Sequence, residues 1–174
     1  MPQALLAFLA VTIVTGMLFG QQRLTLQAQG EAVNAQFEVM ASAVASERMH
    51  YIVSHSFDAR VADGTVSRAN MNLNDLTSPG DFGTATAGGC IVASTCKDVD
   101  DFHEHQDTVS YAQAGEFDFA IDTEVAYVHS SGSVSVTPTW TKEISVTVRA
   151  LPLNSHDPYL AAPVQKTRRA SPTW

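Results

Sequence analysis

The chain has 174 residues, room for one domain with a modest core, and its 45% hydrophobic content is ordinary for a globular protein. A formal charge of -8, with "KTRR" at 166–169 as its one cationic cluster, argues against nucleic acid as a partner.

The apolar residues crowd toward the N-terminus. Residues 4–20, "ALLAFLAVTIVTGMLFG", carry no charge. As a helix this segment spans roughly 25 Å, enough to cross a hydrocarbon core with little tilt. "MPQ" offers no basic residue and "LFGQQRL" is a poor cleavage site, so the segment is expected to be retained rather than removed as a signal peptide. Gly16 and Gly20 form a G-x-x-x-G pair, which lets two helices approach closely. The residues expected to pack in self-association are Leu5, Leu6, Ala7, Phe8, Leu9, Ala10, Val11, Ile13, Val14, Gly16, Met17, Leu18, Phe19 and Gly20.

From Gln21 to Ser54 there is no proline and one glycine, Gly30. Leu26, Val33, Phe37, Met40, Val44 and Tyr51 recur at helical spacing, with Gln22, Gln29, Glu31, Gln36, Glu38 and Arg48 at polar positions. The pattern predicts one continuous helix over 1–54, about 80 Å long, apolar all round in its first third and amphipathic afterwards. The alternative is a membrane anchor followed by a separate core helix.

Residues 55–106 change to Asn, Asp, Gly, Ser and Thr and read as an irregular connection with short elements. Cys90 and Cys96, five residues apart and without a second pair, fit a local disulfide better than a zinc knuckle or two free thiols. A disulfide implies an oxidising compartment.

The segment "DVDDFHEHQD", 98–107, concentrates acids and histidines. Asp98, Asp100, Asp101 and Glu104 lack the glycine and twelfth-position Glu of an EF-hand, which leaves a weak calcium site or turn-capping, hydrated acids. His103 and His105 could chelate zinc only with a distant third ligand such as His129. His50 and His55 are expected to interact with the carbonyl end of the long helix.

Beyond Asp107 the period becomes two. Phe117, Phe119, Ile121, Val125 and Tyr127 share one strand face, as do Ile144, Val146 and Val148. Residues 108–113 and 133–137 read as further strands, and 107–152 as an antiparallel sheet with one apolar face needing a cover. The tail, 153–174, is proline-rich and expected to be extended. The fold class is therefore α+β, a long N-terminal helix packed on a C-terminal antiparallel sheet. No nucleophile elbow, phosphate loop or other catalytic order is present, so an enzyme is not expected.

This architecture resembles the type IV pilin superfamily. The motifs that carry the likeness are "LLAFLAVTIVTGMLFGQQRL", "DVDDFHEH" ahead of the strands and "TWTKEISVTV" in the last strand. The family's usual Glu at position 5 is replaced by Leu5, and no acidic residue precedes Glu31. The resemblance implies a homo-oligomeric, helical filament at the cell surface, built by pilus assembly machinery from subunits held in the inner membrane beforehand. The alternatives are a single-pass membrane protein with an exported β-rich binding domain, or a pseudopilin-like secretion component. No cofactor is expected apart from the calcium considered above.

Overall fold

A computed structural model describes residues 2–67, 69–70, 72–83, 90, 92–111, 117–151 and 162–172, with the side chains of 2–7, 10 and 111 outside the description. The chain forms two compact units, Met1–Phe37 and Glu38–Trp174, and helix α1, Pro2–Val53, is continuous from the first into the second.

In the first unit every described side chain from Phe8 to Gln36 is exposed. Phe8 is 75% accessible, and Leu9, Val11, Ile13, Val14, Met17, Leu18 and Phe19 each exceed half. The hydroxyls of Thr12 and Thr15 turn back onto helix carbonyls, Leu9 O at 2.8 Å and Val11 O at 2.7 Å. That bonding satisfies the two polar side chains described between Phe8 and Gly20. Among the described residues no helix is long and apolar enough to cross a membrane. The expectation for Leu5, Leu6, Ala7 and Ala10 lies outside the described side chains.

In the second unit α1 buries Ala41, Val44, Ala45, Arg48, Met49 and Ile52, alternate steps of three and one along a single face. The expected stripe is corrected here: of its members only Val44 is buried, while Leu26, Val33 and Tyr51 are exposed. The stripe keeps one azimuth at about 100° per residue, but the buried face is centred roughly 80° round the helix from it, and Leu26 and Val33 lie in the first unit. Two alanines on the buried face permit close approach. At the helix end His55 Nδ1 lies 2.9 Å from Tyr51 O, as expected of a residue beside the last carbonyls.

A short helix, α2 (Ala59–Ala62), and, among the described residues, four single 3-10 turns follow, and the Cys90–Cys96 disulfide is formed. Strands β1 (His105–Tyr111), β2 (Phe117–Tyr127), β3 (Lys142–Leu151) and β4 (Val164–Ala170) then make an antiparallel sheet in sequential order. The expected inward faces hold: Phe117, Phe119, Ile121, Val125 and Tyr127 on β2, and Ile144, Val146 and Val148 on β3, are buried.

The strand expected over 108–113 is formed as part of β1, but the one expected over 133–137 is not. Residues 133–137 contribute one isolated bridge, Val128 to Val134, and Val134 and Val136 are 68% and 89% exposed. The fourth strand lies instead in the expected tail, where "VQKTRRA" pairs with β3. An edge strand with little burial carries no apolar alternation, so its sequence gives no strand signal.

Candidate functional site

Lys142 opens β3 in phase with Ile144, Val146 and Val148, and the pleat therefore turns it inward. It has no solvent exposure. Its Nζ donates to Phe57 O at 2.6 Å and lies 3.5 Å from Asp58 Oδ2, in direct contact with Asp100 Oδ1. Three rings surround the ammonium, with centroids at 4.2 Å (Phe57), 5.1 Å (Tyr127) and 5.3 Å (Phe82). Aromatic faces are the one apolar lining that also favours a cation.

The acids reach this point from two segments held side by side. Val99 N donates to Ser56 O at 3.0 Å, and Ser56 bridges to Asp98 in parallel. Asp58 Oδ1 accepts from Arg60 N at 2.9 Å, capping α2, and Oδ2 accepts from Thr77 N at 2.9 Å. Asp98 accepts from Ala59 N at 2.7 Å through one oxygen, and from Asp100 N and Asp101 N at 2.9 and 3.1 Å through the other. Tyr127, paired with Lys142 across β2 and β3, donates its hydroxyl to Thr77 O at 3.0 Å.

The three buried carboxyls are not equivalent. Burial works to raise Asp58, but the Lys142 charge and the N–H groups of Thr77 and Arg60 outweigh it and hold the carboxyl below its ordinary value. Burial pushes Asp98 up, with Asp101 adding to the effect. Asp100 is pushed up to about 8, by burial above all, with Lys142 opposing and Asp98 reinforcing. Beside Lys142, Asp58 is therefore the carboxyl whose surroundings favour the ionised form, and Asp100 the one whose surroundings favour the protonated form. Asp100 Oδ2 has no hydrogen-bond partner among the described residues.

A second buried cation stands nearby. Arg48, expected on the polar face of α1, is only 9% exposed. Its Nη2 lies 3.2 Å from Asp107 Oδ2 and 3.0 Å from His105 Nδ1, with the guanidinium 5.6 Å from the Phe102 ring centroid. This tie fastens the end of α1 to β1.

The expected surface character of "DVDDFHEHQD" is thus corrected. Asp98, Val99, Asp100, Phe102 and His105 are buried, and the acids cap turns from inside the core. The calcium candidates each have other partners or surroundings. Asp98 is filled by backbone donors, Asp100 faces Lys142, Asp101 accepts from Lys97 N at 2.7 Å, and Glu104 is exposed with φ 56°. His103 Nδ1 accepts from Val125 N at 3.1 Å. Among the described residues one group of metal-ligating types draws close, Cys90, Cys96 and His105, and its two sulfurs are joined as the disulfide.

The sequence carries one signal for this site, the phase of its charges with apolar neighbours: Lys142 sits two residues before Ile144, and Asp98 and Asp100 flank Val99 ahead of Phe102. Only the presence of an opposite charge across the fold made burial affordable for either. Compared with known proteins, the chain matches no family model, no curated protein and no solved structure.

Proposed function

We propose that this protein is a structural subunit of a pilin-like, cell-surface filament, in which α1 of each copy packs against α1 of its neighbours. The observation that carries this reading is the run of exposed apolar side chains from Phe8 to Phe19. A continuous patch of this kind is uncommon on a monomer and needs a partner, lipid or protein. Before assembly, residues 4–20 rest in the inner membrane; on assembly they exchange lipid for neighbouring helices, and close packing supplies the affinity. The disulfide favours export to an oxidising compartment. Pilus assembly machinery as a partner follows from the resemblance.

The test is negative-stain microscopy of sheared surface material, with mass spectrometry of any fibres. Fibres containing this chain are expected. A protein found only in the membrane fraction under every growth condition would instead support a single-pass anchor for an exported binding domain. A Cβ added at Gly20 meets nothing within 4 Å in the single chain. Gly20→Leu should therefore leave the subunit folded and membrane-associated while cutting fibre yield severely; unchanged fibres would contradict close packing there.

A further inference from the structure

We propose that Lys142 and Asp100 join through an intramolecular isopeptide bond, Nζ to Cγ, with Asp58 taking up the proton that frees the amine.

Three observations outside the filament reading carry this. The amine and the acid are in direct contact inside the core, both essentially without solvent exposure. A second carboxylate, Asp58, is equally buried and lies 3.5 Å from the same nitrogen. Phe57, Phe82 and Tyr127 close around the nitrogen and exclude water. A charged pair in such surroundings is costly to keep, and a neutral amide in the same place is not.

The step balances as follows. The Lys142 ammonium gives one proton to the Asp58 carboxylate. The neutral Nζ then attacks Cγ of the protonated Asp100 carboxyl, forming the C–N bond. The second proton leaves nitrogen for the departing hydroxyl, the C–O bond breaks, and one water is released. Asp58 ends protonated and keeps the proton, because the Lys142 charge that held it ionised is gone. No oxidant or reductant is involved.

Each partner suits its part. Burial favours the protonated form of Asp100, which is the electrophilic one. Asp58, held below its ordinary value, is ionised and ready to accept. Oδ1 of Asp100 contacts the Lys142 nitrogen, which places the Asp100 carboxyl beside the amine. Well-oriented intramolecular reactions reach effective molarities on the order of 10⁵–10⁸ M, and contact between the amine and the acid is what brings that advantage to this pair. The bond would tie the start of β3 to the turn leading into β1, across the face that meets α1.

Intact-mass measurement of the full chain, reduced and denatured, tests this without any variant. The expected mass is that of the sequence less one water. Trypsin cuts after Lys97, and a glutamate-specific protease cuts after Glu104, Glu124 and Glu143, so the bond should leave peptides 98–104 and 125–143 joined. A wild-type protein at full sequence mass overturns the proposal. So does a water loss confined to peptide 98–104, which marks a cyclised aspartate. Lys142→Arg should restore the full mass. Asp58→Ala should leave most of the protein at full mass, and wild-type cross-linking in that variant overturns the role given to Asp58.

Discussion

Lys142 Nζ lies 3.5 Å from Asp58 Oδ2, and neither side chain keeps any exposure to solvent. The two residues come from opposite sides of the core, β3 and the cap of α2, and their pairing locks the connecting region under the sheet. Buried pairs of this kind seldom add much net stability over an apolar replacement, because desolvation offsets attraction. Losing one partner is another matter.

Wherever residue 142 carries a free ammonium, Lys142→Met should destabilise the protein by about 3–5 kcal/mol, since it strands the Asp58 charge. Adding Asp58→Asn removes that charge and should recover part of the loss. Neither variant can form a bond to residue 142, so their difference reports the charge alone. Urea unfolding of the full chain in detergent, followed by circular dichroism, checks both. A loss below about 1 kcal/mol in the single variant, the range of an exposed pair, would show that the pair is solvated.

Asp98 makes stability depend on pH in a direction opposite to most carboxylates. Its carboxyl is raised above 3.8 in the folded state, so the native protein holds a proton that the unfolded chain releases. That contribution is complete below 3.8 and is lost as pH rises from there through the folded value. Asp100 acts in the same direction, up to about 8, wherever its carboxyl is free. Asp58, lowered instead, acts with the opposite sign, and its window lies below 3.8. The urea midpoint should fall as pH increases from 3.8, and Asp98→Asn should flatten the slope. A wild-type midpoint that rises across this window would contradict a protonated Asp98.

Gly83 adopts φ +62° beside the cluster, and a Cβ there would meet His103 O at 2.1 Å. The obstacle is backbone and cannot swing aside. Gly83→Ala should cost about 3–4 kcal/mol, a left-handed penalty of ~1–2 kcal/mol with the clash added. Gly64, at φ +72° with nothing within 4 Å of an added Cβ, should show only the left-handed penalty. Thermal melts of the two alanine variants, run side by side, separate the contributions; equal shifts would mean that the Gly83 loop yields.

The sequence by itself determined the continuous helix, the inward faces of β2 and β3, and the pairing of Cys90 with Cys96. Each of these is written in local spacing: an unbroken run without proline, a period of two, an isolated cysteine pair. It did not determine which face of α1 meets the sheet, because burial there selects Ala41 and Ala45 for their small size rather than for hydrophobicity. It did not reveal β4, an edge strand whose polar residues need only backbone pairing. Nor could it assign "DVDDFHEHQD" to the interior. Acids default to the surface, and what overrides the default is Lys142, 42 residues beyond Asp100 and brought to it only by the fold. Charge burial is decided by the partner across the core, and tertiary structure alone supplies that partner.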